Sequence, residues 1–122
     1  MRAVWIAMML LLSGAGVAHA DAAAEVKAGT GIEDREPTGV ASSFKKGETV
    51  FVWSNITGAD GQTVEHAWKL DGKEVFKVSF EVKSKRWRVN SRRRNLAAGA
   101  YVIEVTADEG KKKLGEVAFK VE

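Results

Sequence analysis

The sequence contains no cysteine, one proline and two histidines among its 122 residues. Without cysteine there is no disulfide, no thiolate ligand for a metal and no lipid attached through an N-terminal cysteine. The motifs of a serine-hydrolase elbow, a phosphate-binding loop and a zinc-binding helix are also missing from the sequence. These absences leave no motif that identifies the chain as an enzyme.

The first twenty residues have the layout of a secretory signal peptide. Arg2 precedes an apolar run over residues 4–12, and an Ala-His-Ala tripeptide ends at residue 20. The run is shorter than the roughly twenty apolar residues of a membrane-spanning helix, so we predict cleavage before Asp21 rather than a retained anchor. The expected product is a bacterial protein that is periplasmic or secreted.

The predicted mature chain has the length of one small domain. Its apolar residues alternate with polar ones, and no window repeats them at helical spacing. Strands are predicted at residues 26–32, 50–56, 64–70, 74–82, 86–91, 101–106 and 117–121. This spacing predicts an all-β fold, an immunoglobulin-like antiparallel β-sandwich of about seven strands. The domain would cover residues 26–122, after a flexible tail over residues 21–25.

The hairpin near residue 71 decides which side chains share a face. A two-residue type I′ turn would place Trp68 opposite Val75 and mix core with solvent positions. We therefore predict a three-residue loop over residues 70–72, with Gly72 as a left-handed bulge residue. The apolar face would then carry Val64, His66, Trp68, Phe76, Val78 and Phe80.

Residues 83–95, KSKRWRVNSRRRN, hold seven basic side chains and no acidic one. Strand alternation sends Trp87 inward and the arginines at even positions outward, in a row with a spacing of about 7 Å. Arg93 has the opposite parity and is expected in the turn that follows the strand. Arginine suits bidentate contact with carboxylate or phosphate. The predicted ligand-binding residues are Lys85, Arg86, Arg88, Arg92 and Arg94.

Four short motifs occur in an order that resembles a bacterial family. They are Asp34-Arg35-Glu36-Pro37, His66-x-Trp68, Arg86-Trp87-Arg88-x-x-Ser91 and Gly99-x-Tyr101. Over about residues 26–121 the chain is similar to the family called domain of unknown function 2914 (DUF2914). The resemblance implies an extracytoplasmic all-β module with no established activity. The chain departs from the family pattern at residues 83–85, where many relatives have glycine, and at Tyr101, where they have tryptophan.

Several other residues are candidates for a site or for the core. His66 is the one histidine after cleavage, too few for a zinc site without cysteine, and we interpret it as structural and bonded to Ser91 or a backbone carbonyl. Glu33, Asp34 and Glu36 surround Arg35, and we interpret them as a solvated turn in which Arg35 pairs locally, rather than a calcium or hydrolytic site. Core packing between the two sheets is expected of Trp53, Trp68 and Trp87.

The sequence therefore predicts a non-enzymatic exported module that docks onto something acidic through the arginine row. The partner would be an acidic envelope polymer, lipid headgroups or another protein's carboxylates. Nucleic acid, metal and cofactor are not expected. Two alternatives stay open: neutral glycan binding by exposed tryptophans, and hydrolysis by His66 with the Asp34 region. It also stays open whether the arginines only deter edge-to-edge aggregation.

Overall fold

The computed structural model describes residues 22–122, and the predicted signal peptide lies outside them. The described chain folds into strands β1 (Ala23–Gly29), β2 (Gly31–Glu33), β3 (Glu36–Thr38), β4 (Ser43–Phe44), β5 (Thr49–Thr57), β6 (Thr63–Leu70), β7 (Lys73–Glu81), β8 (Arg86–Arg94), β9 (Gly99–Ala107) and β10 (Lys112–Val121). Over this range there is no helix that is long and apolar enough to cross a membrane.

Two sheets pack face to face. One has the strand order β1-β5-β8, the other has the order β4-β10-β9-β6-β7, and β2 and β3 form a separate two-stranded ribbon. All pairings are antiparallel except the two-residue contact of β4 with β10. The predicted immunoglobulin-like β-sandwich is confirmed. Strands β2, β3 and β4 were not expected, because two or three residues are too few to show an alternating pattern.

The core lies between the sheets and consists of two apolar clusters. One is built around Trp68, Tyr101 and Phe119, and the other around Ile56 and Val105. Each of these large side chains stabilises the fold by roughly 1.5–3 kcal/mol through its removal from water. The Tyr101 hydroxyl donates a hydrogen bond to the Ala97 carbonyl at 2.7 Å, an arrangement similar to the tyrosine corner of immunoglobulin-like domains.

The turn between β6 and β7 differs from the prediction. Leu70 pairs with Lys73, so the turn has two residues, Asp71 and Gly72. Their φ angles are 49° and 88°, as a type I′ turn requires. The predicted three-residue loop is therefore wrong.

A bulge in β7 nevertheless preserves the predicted apolar face. Lys69 pairs with Glu74 and Trp68 with Phe76, which leaves Val75 without a partner on β6. Val75 is exposed, whereas Trp68 is fully buried. The bulge restores the predicted faces, but it shifts the register in the opposite direction from the predicted loop. His66 pairs with Val78, whereas the predicted loop would have paired it with Phe76.

Strand β1 begins earlier than expected. Residues 23–25 pair with residues 55–57 of β5, so the predicted flexible tail is wrong for these residues. A side chain at Gly115 of β10 would collide with the backbone of Ala24, so the glycine permits β1 to approach β10 closely. This contact closes one side of the sandwich. The alanines of β1 gave too weak a strand signal for this pairing to be predicted.

Candidate functional site

Strand β8 carries most of the basic stretch and forms an edge of the three-stranded sheet. It pairs with β5 over nine residues without a register shift. Ser91 is buried toward the other sheet, and Trp87 and Val89 on the same side are half-buried. Arg86, Arg92 and Arg94 are exposed on the opposite side, while Arg88 is half-buried there, and the exposed Lys85 precedes the strand. The structure therefore places four of the five predicted ligand-binding residues on one strand and Lys85 directly before it.

The β2–β3 ribbon covers part of the outer face of this sheet. Trp53 of β5 points outward, yet it is only 3% exposed, and its indole N–H donates a hydrogen bond to the Arg35 carbonyl at 2.8 Å. Its neighbours Val52 and Ser54 point inward and are fully buried. The interpretation that Trp53 packs between the two sheets is therefore wrong, because the tryptophan anchors the ribbon from outside.

The turn of the ribbon brings the acidic motif to the arginine row. Asp34 and Arg35 occupy its two central positions with φ angles of 50° and 64°, which non-glycine residues rarely adopt. Glu36 accepts a hydrogen bond from Arg88 at 2.6 Å, and the two side chains form an ion pair. Within residues 22–122, the arginine that forms an ion pair with an acidic residue of the ribbon is therefore Arg88 of β8. The expectation that Arg35 makes this pairing is wrong. Glu36 and Arg88 are 52 positions apart, so no pattern in the sequence could predict this contact.

One recess collects side chains from both motifs. It has a volume of about 440 Å³ and is lined by Arg35, Ser84, Arg86, Trp87 and Arg88. Three arginine residues thus border one concave surface, together with Trp87. No sequence signal showed that Arg35 belongs with the arginine row, because the ribbon places it there through tertiary contacts.

Arg93 does not lie in the turn where it was expected. It belongs to β8, on the inward-facing side, and its guanidinium carbon lies 4.3 Å from the centre of the Phe76 ring. Its Nε is buried and has no hydrogen-bond partner within the described residues. The aromatic face accounts for a cation at an inward position, since it attracts the guanidinium electrostatically. The prediction was wrong because polar residues end the visible alternation before the strand itself ends.

His66 forms the centre of a buried polar network between the sheets. Its Nε2 lies 2.8 Å from the Ser54 hydroxyl, and its Nδ1 lies 2.7 Å from the Ser91 hydroxyl. The indole N–H of Trp68 also donates to Ser91, at 3.0 Å. Burial lowers the pKa of His66 from 6.5 to about 4, so the ring is neutral at pH 7. Its contact with Ser91 was expected from the sequence, whereas Ser54 was not identified.

The described structure offers no support for the hydrolase alternative. His66 is fully buried and contacts Ser54 on the inner face of β5, while Asp34 lies in the ribbon that covers Trp53 on the outer face. The three-stranded sheet therefore separates His66 from Asp34. In the part of the chain that the structure describes, no three histidine, aspartate or glutamate side chains could together hold a metal ion.

The glycan alternative required exposed tryptophans. Trp68 is fully buried, Trp53 is buried beneath the ribbon, and Trp87 is half-buried. None of these three indoles forms an open platform on which a sugar ring could stack.

Similar folds occur among solved structures. The chain is similar to the CARDB domain of the PF1109 protein from Pyrococcus furiosus, crystallised in complex with di-metal ions, with a TM-score of 0.56 and 10% identity over 84% of this chain and 88% of that one. It is also similar to the alkylpurine DNA glycosylase AlkC from Pseudomonas fluorescens, bound to DNA containing an abasic site analog. That TM-score is 0.51, with 14% identity over 93% of this chain and 33% of the glycosylase. At these identities the likeness concerns the fold alone. No curated protein matches the sequence.

A family model described as "Protein of unknown function (DUF2914)" matches residues 61–121, half of the chain. The match contains His66, Trp68 and Ser91 of the buried network, together with the arginine row, whereas the acidic motif lies before it. A family of unknown function and a β-sandwich domain both suggest a non-enzymatic module. The resemblance predicted from short motifs is thereby confirmed: the chain belongs to the DUF2914 family.

Proposed function

We propose that this protein is an exported, non-enzymatic module that docks onto an anionic partner through the arginine row and the adjoining ribbon. The recess shared by Arg35, Arg86 and Arg88 carries the proposal. A guanidinium group offers a planar fork of N–H donors, which matches the oxygens of a carboxylate or phosphate. Arg35 and Arg86 form no ion pair within the described residues, so their guanidinium groups are available to an anionic group, whereas Arg88 pairs with Glu36.

The position of Arg35 favours binding over simple protection of a sheet edge. Charges that only deter aggregation need to lie on the edge strand itself. Arg35 comes from a separate ribbon and is held above the sheet by the hydrogen bond of its carbonyl with Trp53. Its φ of 64° is the value that the second position of a two-residue hairpin turn requires, and this turn projects Arg35 from the end of the ribbon.

In this proposal the anionic partner carries several negatively charged groups rather than one. Arg92 and Arg94 are exposed on the same strand, Lys85 is exposed directly before it, and residues 83–95 contain no acid that could neutralise them. A strand of this length can contact several anionic groups at once, since its outward side chains repeat at about 7 Å. Acidic envelope polymers, lipid headgroups and acidic proteins all offer such repeats. The predicted signal peptide would bring the module to the compartment where they occur.

Binding to two defined probes tests the proposal. The parent protein should bind polyglutamate and vesicles that contain phosphatidylglycerol, and comparison of the two distinguishes a carboxylate chain from a lipid surface. The variant R35S/R86S/R88S should stay folded, because exposed ion pairs contribute only about 0–1 kcal/mol each. It should bind more weakly, and its affinity should depend less on salt, by up to about one ion per lost contact.

A matched variant tests whether binding depends on the arginine site or only on the net charge of the protein. K45S/K46S/K111S also removes three positive charges, from exposed positions outside β8 and the ribbon. It should retain most of the parent's affinity and salt dependence. Equal binding by the arginine variant and the lysine variant would contradict the proposal and leave the arginines as a solvated edge.

A further inference from the structure

We infer that the free edge of β8 receives an extended acidic segment of a partner protein as an additional antiparallel strand. This inference rests on the proposed function, because it assigns the partner of the same arginine-rich strand. It is supported by the regularity of β8, by the direction of its backbone groups and by the half-buried apolar residues beside it.

The edge is long and regular. Strand β8 pairs with β5 through nine consecutive residues without a bulge, and within residues 22–122 no other strand pairs with it. It contains no proline. Edge strands that avoid pairing are usually short, bulged, interrupted by proline or charged. Of these features strand β8 has only the charges, which repel a basic chain and admit an acidic one.

The direction of the backbone groups follows from one hydrogen bond. The N–H of Gly58 donates to the carbonyl of Lys85 at 3.0 Å, so the backbone groups of Lys85 point toward β5. Antiparallel pairing reverses this direction at each residue. The N–H and C=O groups that point toward the free edge therefore belong to Arg86, Arg88, Asn90, Arg92 and Arg94. The hydroxyl of Ser84 donates to the Arg86 carbonyl at 2.8 Å, and this carbonyl is one of those assigned to the free edge.

The same residues supply the outward side chains. Backbone direction and side-chain direction both alternate with a period of two, so the edge-facing groups of β8 coincide with its arginine row. In an added antiparallel strand, the residues that exchange hydrogen bonds with these positions would place their side chains beside the arginines. Acidic residues at every second position of that strand would gain backbone hydrogen bonds and ion pairs together.

The side chains between the acidic residues of the added strand would lie next to apolar residues of the sandwich. Trp87 and Val89 of β8 are half-buried, and so are the inward-facing Phe76, Val78 and Phe80 of β7, the edge strand of the other sheet. The opposite side of the sandwich is closed by β1 against β10. Apolar residues between the acids would cover the side that remains open. The expected segment therefore alternates acidic and apolar residues.

A second copy of this chain does not fit the edge of β8. Antiparallel pairing of two β8 strands would place arginines close to arginines, and like charges at facing positions are destabilising. Strand β7 is a poorer acceptor, because the bulge at Val75 interrupts it and its exposed positions carry charges of both signs. Charge complementarity therefore favours an acidic segment from a different protein.

A peptide with alternating glutamate and valine, capped at both ends and nine residues long, is the probe for this inference. In the proposed register its glutamate amides point toward β8 and its valine amides point away. N-methylation of two central glutamate amides should weaken binding roughly tenfold, because two backbone hydrogen bonds are lost. N-methylation of two central valine amides leaves those bonds intact and should change the affinity by no more than about twofold.

Amide hydrogen exchange gives a second measurement on the same complex. The amides of Arg88, Asn90 and Arg92 should exchange more slowly when the peptide is bound, whereas the amides of Trp87 and Val89 already face β5. Equal affinity of the two methylated peptides, or unchanged exchange at the three edge-facing amides, would overturn strand addition. Such results would leave anion binding intact, because that proposal is tested separately, by the binding of polyglutamate to the arginine and lysine variants.

Discussion

The Ser91 hydroxyl on β8 lies 2.7 Å from Nδ1 of His66 on β6, and this contact joins the two sheets of the sandwich. Ser91 also accepts the indole N–H of Trp68. The strand that carries the arginine row is thus fixed to the core from its inner side. The two faces of β8 have separate roles, one in holding the fold together and one in the proposed binding.

Replacing Ser91 by alanine should destabilise the fold by about 1–3 kcal/mol, because it leaves the Trp68 indole and one His66 nitrogen buried without a hydrogen-bond partner. Chemical denaturation measures this change. Ser79→Ala is the matched control, since Ser79 is exposed on β7, and it should change stability by less than about 0.5 kcal/mol. Equal effects of the two substitutions would show that the buried hydrogen bonds of Ser91 do not stabilise the fold.

His66 predicts a pH dependence of stability. Its folded pKa of about 4 lies below the ordinary value of 6.5, so the unfolded chain takes up the proton first as the pH falls. This contribution to stability is fully present above about pH 6.5 and is lost as the pH falls from there toward 4. Between pH 7 and pH 5 the loss should be about 2 kcal/mol, measured by denaturation at each pH.

The variant His66→Gln provides the control for that measurement. It should be less stable than the parent at pH 7, and its stability should change much less between pH 7 and pH 5. A parent protein whose stability is flat over this interval would contradict the neutral, buried state of His66.

Glu36 should weaken anion binding in the parent protein, because its carboxylate occupies the Arg88 guanidinium. Glu36→Gln should raise the affinity for polyglutamate roughly two- to fivefold, which corresponds to an exposed ion pair of less than about 1 kcal/mol. Titration calorimetry at low salt measures the change. Glu33→Gln removes the same charge from the residue that pairs with Glu36 in the ribbon, and it should have the smaller effect. The reverse order would contradict the assigned role of Arg88.

Alternation within single strands was enough to predict the main sheets and the outward direction of Arg86 and Arg92. These features are local, because a half-buried strand of five or more residues shows its two faces in its own sequence. The same reasoning failed for Arg93, where an aromatic ring on the other sheet compensates an inward cation. It also failed for the β6–β7 turn, because a bulge and a longer loop produce the same arrangement of faces.

The recess could not be predicted, since it depends on contacts between distant parts of the chain. The ribbon lies on the sheet because Trp53 donates to the carbonyl of Arg35, and its turn meets β8 through Glu36 and Arg88. Neither contact has a periodic signal. The sequence predicted a solvated turn around Arg35 and an outward arginine row, but only the fold brings them around one surface.

The indole N–H resonances of Trp53, Trp68 and Trp87 give the most direct test of the proposed binding site. Trp87 lines the recess with the three arginines, whereas Trp68 is fully buried in the core. On titration with polyglutamate, we expect that the Trp87 signal shifts in a saturable manner and that the Trp68 signal stays in place. A saturable titration in which the Trp87 signal does not move would place anion binding elsewhere on the molecule and contradict binding at the recess.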